Sequence, residues 1–155
     1  MAVKIPKTVG LSDPQIEAAE RALGCVLPAS FRAFVRDHDG ATPEDNAFDL
    51  PGDEGGVRAF IPLSDAPERR HEIDGFPKTG VPVAEDDCGN YIWLRPETGE
   101  ILFWDHEDEE AGVVIANDFE SFIAVLRPYN KGSVVLKPGQ VTRIWVNPDF
   151  KPEFD

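Results

Sequence analysis

The stretch that decides the fold is residues 81–107, VPVAEDDCGNYIWLRPETGEILFWDHE. It holds three short apolar runs, 81–84, 91–94 and 101–104, which are separated by the turn-forming sequences DDCGN and PETG. Short aromatic and β-branched runs bounded by Gly, Asn and Asp are typical of consecutive antiparallel strands. Each run is almost continuously apolar, which predicts central strands covered on much of both faces. We therefore expect a β-meander at the centre of the domain, with helices covering one of its faces.

Two helices are predicted upstream of this meander. The first begins at Ser12, which has the capping-box spacing to Gln15, and ends at Gly24, because glycine tolerates the left-handed conformation of a helix end. The second begins at Pro28 and ends before Gly40. Each carries apolar residues at helical spacing, so we expect both helices to pack on the sheet.

The segment between these helices and the meander is harder to interpret. Residues 41–58 are rich in Gly, Pro and Asp, which indicates a surface loop or an irregular edge. Residues 60–63 are a candidate strand, in which Pro62 indicates a sheet edge or a strand end. Residues 64–79 form either a short helix about 67–72 or a connector, and the pattern does not decide between them.

Downstream of the meander, residues 113–115 are predicted to form a short strand. Asn117 is predicted to cap the last helix, with Glu120 in the capping-box position. Two further strand-like runs, 134–136 and 141–146, lie in the tail and could form a hairpin at the sheet edge or a contact arm.

Composition predicts one globular domain over residues 1–155. A hydrophobic fraction of 41% fits a chain that buries a core. No apolar run approaches the ~20 residues of a membrane helix, and the N-terminal residues lack the apolar segment of a secretory signal. Cys25 and Cys88 do not make a disulfide framework, so we expect reduced thiols and a cytoplasmic location.

The chain has a formal net charge of −14, and the charge is unevenly distributed. Residues 1–126 carry 10 Lys and Arg against 26 Asp and Glu, whereas residues 127–155 carry five against three. Such an acidic body disfavours binding to nucleic acid and anionic membranes, and it favours a basic protein partner. The alternative interpretation is that the acidity serves only solubility.

The sequence predicts no catalytic, cofactor or metal site. His106 among the acids is the one candidate metal ligand, but HExxH and CxxC motifs are absent, so an acidic surface loop with at most a weak Ca²⁺ contact is expected. Cys88 lies beside two aspartates, whose negative charge disfavours a thiolate nucleophile. Neither GxGxxG nor a P-loop motif occurs, so a nucleotide site has no support.

Two acidic segments flank strands of the predicted meander. The turn before its second strand and the loop after its third strand fall at the same end of an antiparallel sheet, so their side chains are predicted to converge on one rim. The predicted partner-binding residues are Asp86, Asp87, Asn90, Asp105, Glu107, Asp108, Glu109 and Glu110. The alternative is two independent solvated loops.

Three blocks of the sequence resemble the SUKH superfamily, specifically its Smi/Knr type, and they occur in the order of that family. The first is 16–40, IEAAERALGCVLPASFRAFVRDHDG, with an LGxxLP motif between two helices. The second is the central stretch, with its DxxGN turn and its FWDHE end, and the third is 115–122, IANDFESF. The resemblance covers about 11–126 and leaves 127–155 as an extension.

The residues and the resemblance together predict an α+β fold, in which two N-terminal helices and one later helix pack on a mainly antiparallel sheet. Many bacterial SUKH-type proteins resemble immunity proteins encoded beside polymorphic or contact-dependent toxins, frequently nucleases. The resemblance therefore implies a non-catalytic protein that binds and neutralises a cognate toxin. Other Smi/Knr-type proteins act in signalling and cell-wall regulation, so a regulatory scaffold is the alternative, and an enzyme with an unrecognised reaction is a third hypothesis.

Overall fold

The computed structural model describes residues 2–108, 110, 112–130, 138–143 and 145–149. Within these ranges the chain forms four α-helices and eight β-strands. The helices are α1 (Asp13–Leu23), α2 (Ala29–His38), α3 (Ala66–Glu72) and α4 (Phe119–Val125). The strands are β1 (Asp45–Leu50), β2 (Asp53–Gly56), β3 (Ala59–Phe60), β4 (Val81–Glu85), β5 (Tyr91–Leu94), β6 (Ile101–Trp104), β7 (Val113–Ala116) and β8 (Arg127–Pro128).

Two antiparallel sheets carry the fold. The larger has the strand order β3-β4-β5-β6-β7, and the smaller has the order β2-β1-β8. Strands β4, β5 and β6 are the predicted meander, in which Ile92 lies opposite Phe103 and Trp93 lies opposite Leu102. The α+β architecture with a central antiparallel meander is therefore confirmed, and so is the short strand predicted at 113–115.

The large sheet is covered on both faces, as its continuous apolar runs predict. Because successive side chains of a strand point to opposite faces, neighbouring residues enter different clusters. Ile92 and Leu94 are fully buried in the main core, together with residues of α1, α2 and α4. Trp93 and Trp104 lie in a second cluster, where the Phe76 ring centroid is 5.9 and 5.7 Å from theirs. Both tryptophans are thus core residues.

The first two helices begin and end where the sequence predicts. The backbone N–H of Ser12 donates to Gln15 Oε1 at 2.9 Å, which satisfies a donor ahead of the first turn of α1. Gly24 has φ +73°, and its N–H donates to the Glu20 carbonyl at 2.8 Å to close the helix. Helix α2 follows Pro28 directly and ends at His38, before Gly40.

The loop interpretation of 41–58 is wrong, because residues 45–56 form a β-hairpin whose strand β2 lies at an edge of the small sheet. Its turn is Pro51-Gly52, and Gly52 has φ +77°, so the Gly and Pro that indicated a loop are the turn residues of the hairpin. Phe48 is 1% exposed and packs on Phe103 and Phe122, with ring centroids 6.2 and 5.8 Å away. One aromatic side chain therefore anchors a strand that is otherwise rich in polar residues.

The prediction that Asn117 caps the last helix is also wrong, because the N-cap is Asp118. Asp118 Oδ1 accepts a hydrogen bond from the Ser121 N–H at 2.7 Å, and this bond lowers the pKa of the carboxyl group from its ordinary value of 3.8. Glu120 is then the second helical residue and not the capping-box partner. Both neighbours are good capping residues, and the extended backbone of Asp118 (φ −156°) decides between them.

The segment between the hairpin and the meander contains both of the elements that the sequence left open. The strand at 60–63 is limited to β3, an edge strand that ends two residues before Pro62 and pairs with β4. Residues 66–72 form α3, so the short helix predicted about 67–72 is present and the connector interpretation is wrong.

The tail is only partly described. Arg127–Pro128 pairs with β1 as β8. The strand-like run at 134–136 lies outside the described residues. Residues 141–143, 145 and 146 lie in no strand, and Trp145 is 77% exposed. That 1–155 is one domain with a strand-forming extension stays a prediction.

Candidate functional site

The turn between β4 and β5 is built around the carboxylate of Asp86. Its Oδ1 accepts hydrogen bonds from the backbone N–H groups of Cys88 and Asn90, both at 2.8 Å. Its Oδ2 accepts from the Asn90 side-chain amide at 2.9 Å. Because these hydrogen bonds use both oxygens of the carboxylate, Asp86 stabilises the turn. It adds negative charge to the site but has little capacity left to accept hydrogen bonds from a partner.

Asn90 joins this turn to the loop after β6. Its Oδ1 accepts from the backbone N–H of His106 at 3.2 Å and from His106 Nδ1 at 2.8 Å. A carbonyl oxygen can only accept, so the imidazole carries its proton on Nδ1 in this contact. The two predicted acidic segments are therefore linked directly, and the interpretation as independent loops is wrong.

The loop after β6 holds its own shape through aspartate side chains. Asp105 Oδ1 accepts from the Glu107 N–H at 2.9 Å, and Asp108 Oδ1 accepts from the Glu110 N–H at 3.1 Å. The Asp108 N–H also donates to the Asp105 carbonyl at 3.1 Å. These local bonds fix where the negative charges of the loop lie.

A groove of about 430 Å³ runs between these two loops and the β1–β2 hairpin. Leu50, Phe103 and Val113 contribute apolar surface to its lining. The lining also carries seven carboxylates: Asp53, Glu54, Asp86, Asp87, Asp105, Asp108 and Glu110. No Lys or Arg of the described residues lines it. We call this site the acidic groove.

One basic residue approaches the acidic groove from outside its lining. Arg127 Nη2, in β8, lies 2.8 Å from Glu54 Oε2 and 2.6 Å from Asp49 Oδ1. It therefore neutralises part of the hairpin wall and ties β8 to the hairpin. Two other concave sites of the described residues also lack Lys and Arg, but they carry only two and three carboxylates. The seven carboxylates therefore distinguish this groove.

The structure separates the predicted partner-binding residues into three groups. Six of them line the acidic groove: Asp86, Asp87, Asn90, Asp105, Asp108 and Glu110. Glu107 lies on the other side of its loop, in a smaller cavity with Asp74 and Trp104. Glu109 lies outside the described residues. That these side chains contact a partner stays a prediction.

Sequence reasoning missed the contribution of the hairpin. Asp53 and Glu54 lie on β2 and complete the wall opposite the two loops. The sequence PGDEGG contains the signal, because a Pro-Gly turn followed by charged residues is compatible with a hairpin as well as with a loop. The missing information was that Phe48 is buried.

The groups considered for chemistry do not assemble in the described part of the chain. There, no group of three or more His, Cys, Asp and Glu side chains could hold a metal ion. Cys88 is exposed at the groove, and Cys25 is half-buried, with burial raising the pKa of its thiol. Both cysteines are free. The helices of the described ranges are all too short or too polar to span a bilayer.

Residues 10–125 match the model of the SMI1 / KNR4 family (SUKH-1), well over half of the chain. The chain belongs to the SMI1 / KNR4 family. Domains of this family are generally non-catalytic and bind partner proteins, often as immunity proteins. The matched range contains every described residue of the acidic groove, so this site lies within the SMI1 / KNR4 domain.

A relative in Bacillus subtilis (strain 168) shares part of the domain. The SPbeta prophage-derived uncharacterized protein YokK is 42% identical to this chain over 53 residues. That similarity covers 32% of this chain and 28% of YokK. It therefore supports a shared segment, and it carries no statement about the whole of either protein.

Proposed function

We propose that this chain is a non-catalytic immunity protein, which binds and neutralises a cognate toxin by placing its acidic groove against a basic surface of that toxin. Membership of the SMI1 / KNR4 family supports the class of function. The observation that carries the docking surface is a concave lining with seven carboxylates and, among the described residues, no Lys or Arg.

The electrostatics favour a basic partner. Carboxylates around a cleft with low-dielectric walls focus the negative potential and accelerate encounter with a cationic surface. A nuclease is such a partner, because it must hold the phosphates of its substrate with Lys and Arg. The groove would occupy that surface and imitate the charge of the nucleic acid, so inhibition is stoichiometric and breaks no bond.

The groove residues divide into two roles. Asp87, Asp108 and Glu110 are exposed and carry the charge that faces the partner. Asp86 and Asn90 position that charge, because their side chains are engaged in the turn and in the contact with His106. The apolar lining gives the partner a surface on which side chains can be desolvated, as in the centre of an interface.

The test is co-expression with the toxin encoded beside this gene. We expect the two proteins to co-purify in a 1:1 complex and cells that express both to survive. The matched control is a toxin from an unrelated locus, against which this chain gives no protection. A neighbouring toxin that neither binds nor is neutralised would contradict the proposal, and stable capture of a host regulatory protein instead would favour a regulatory scaffold.

A further inference from the structure

Strand β2 combines two properties that make it a candidate for strand addition. It is the outermost strand of the small sheet, with β1 on one side and no strand of the described chain on the other. All four of its residues line the acidic groove. An unpaired sheet edge inside a groove presents its backbone to whatever enters.

The register of the hairpin shows which backbone groups face outward. In an antiparallel pair of strands, directly opposed residues alternate between two arrangements. In one, the two residues exchange backbone hydrogen bonds; in the next, the backbone N–H and C=O of each residue point away from the other strand. Asn46 and Val57 are a hydrogen-bonded pair, since the Val57 N–H donates to the Asn46 carbonyl at 2.8 Å. Counting along the register from this pair places the N–H and C=O of Gly56 and Glu54 on the outward side.

The two outward positions differ in how far they are already occupied. The Glu54 N–H donates to its neighbour Asp53 Oδ1 at 2.7 Å, so a side chain covers this donor. Gly56 has no side chain, and a Cβ built there would meet only the Asn46 carbonyl oxygen, at 3.9 Å. Gly56 is half-buried and lines the acidic groove, so its outward N–H and C=O border that space.

The preceding glycine has a different role. A Cβ on Gly55 would lie 2.4 Å from the Phe48 ring, so Phe48 fills the space of that side chain on the core side. The hairpin therefore stays anchored through Phe48 while the outer edge at Gly56 stays open.

We infer that the partner protein inserts an extended, cationic segment into the acidic groove and adds it to β2 as an extra strand. This inference rests on the proposed function. Main-chain hydrogen bonds to Gly56 and to the Glu54 carbonyl hold the segment. Its side chains alternate, so that apolar ones pack on Leu50 and Phe103 while Lys or Arg face the carboxylates. Charge complementarity selects this occupant over an acidic or neutral strand.

The test compares Gly56→Pro with Gly56→Ala in binding to the toxin encoded beside this gene. Proline removes the outward N–H, but it breaks no bond to β1 and is tolerated on sheet edges. Alanine keeps that N–H, and its methyl group makes only an ordinary van der Waals contact with the Asn46 carbonyl oxygen. We expect Kd to rise about tenfold more for Gly56→Pro than for Gly56→Ala, because only proline loses one net hydrogen bond and makes its ring clash with the added strand.

Three outcomes overturn the inference, and one of them also overturns the proposed function. Equal affinity of the two variants, each folded by circular dichroism, would show that the groove is bound without strand addition while the proposed function stands. A wild-type chain that fails to bind the neighbouring toxin contradicts the function, and the inference falls with it. The third outcome is that hydrogen exchange at the Gly56 amide does not slow when the wild-type chain binds the toxin. A Gly56 amide already protected in the isolated chain would mean that its own residues or a second copy fill the edge.

Discussion

Asn90 Oδ1 accepts hydrogen bonds from both the backbone N–H and the ring Nδ1 of His106, at 3.2 and 2.8 Å. These two residues are 16 positions apart in the chain and belong to different loops of the meander. Their contact turns two acidic loops into one wall of the acidic groove. The arrangement of charge in the groove therefore depends on an uncharged residue.

Replacing Asn90 by alanine should separate the two loops. We expect a loss of about 1 kcal/mol in the free energy of unfolding, because the buried part of the amide network loses its bonds. Amide hydrogen exchange at His106 should become faster. The control is His106→Ala, which removes the ring but keeps the backbone bond to Asn90, so its exchange should change less. Equal exchange rates at residue 106 in wild type and Asn90→Ala would contradict the role of this contact.

Helix α4 should lose stability when Asp118 is replaced by alanine, and Asn117→Ala should leave it unchanged. The Ser121 N–H bond lowers the pKa of Asp118 in the folded chain below 3.8, so the stabilisation is present above that pH and is lost as the pH falls through the folded pKa. Thermal unfolding at pH 7 should show a Tm lowered by a few degrees for Asp118→Ala, and the difference should shrink in acid. If Asn117→Ala lowered Tm more than Asp118→Ala, Asn117 would be the N-cap and the prediction would be contradicted.

Asp39 has the opposite pH dependence. Burial raises the pKa of its carboxyl group above 3.8, and the negative charge of Asp65 raises it further, although the Leu63 N–H, which donates to Oδ1 at 2.8 Å, opposes both. A raised folded pKa means that its contribution to stability is greatest below 3.8 and is lost as the pH rises through the folded value. Asp39→Asn keeps an acceptor for Leu63 and removes the charge. We expect it to raise Tm at pH 7, with the gain disappearing near pH 3.

Asp39→Ala is the matched control for that prediction. It also removes the charge, but it leaves the Leu63 N–H without its acceptor, which costs about 1 to 3 kcal/mol for a buried donor. If asparagine and alanine had the same effect on Tm, the hydrogen bond to Leu63 would have no role in stability.

Phe48 should be the most sensitive residue of the hairpin. Truncation of a buried Phe to Ala costs about 3 to 5 kcal/mol, and here it also empties the space over Gly55. Equilibrium unfolding in urea measures the loss. Phe48→Leu retains most of the volume and should cost much less, so equal effects of the two substitutions would contradict the packing of Phe48 against Phe103 and Phe122.

The sequence predicts the meander and the first two helices because local signals and burial agree there. The runs at 81–84, 91–94 and 101–104 are apolar throughout, and Ser12 and Gly24 have local capping geometry. The hairpin was missed because Phe48 is its one large side chain that is fully buried, and its contacts are with distant residues. The cap was assigned one residue early because Asn117 and Asp118 have similar local preferences.

One wall of the candidate site could be predicted from the topology of the meander. Meander topology alone places the turn at 86–90 and the loop at 105–110 at one end of the sheet, and the structure brings them together through Asn90. The opposite wall, Asp53 and Glu54, belongs to another sheet. Its position depends on how the two sheets pack, which no local pattern encodes. Glu107 lies outside the groove lining, in the cavity with Asp74 and Trp104, and the local sequence gives no signal for this.

The most direct test of a docking surface for a basic protein is the association rate constant with the neighbouring toxin, measured by stopped flow at low and high ionic strength. Two triple variants are compared. The groove variant is Asp87→Asn/Asp108→Asn/Glu110→Gln. The control variant, Glu17→Gln/Glu68→Gln/Glu97→Gln, makes the same change in net charge at exposed residues outside the groove. We predict that the groove variant associates at least about tenfold more slowly at low salt and loses most of the salt dependence, while the control stays close to wild type. Equal rates for the two variants, or a wild-type rate that does not respond to salt, would contradict the account.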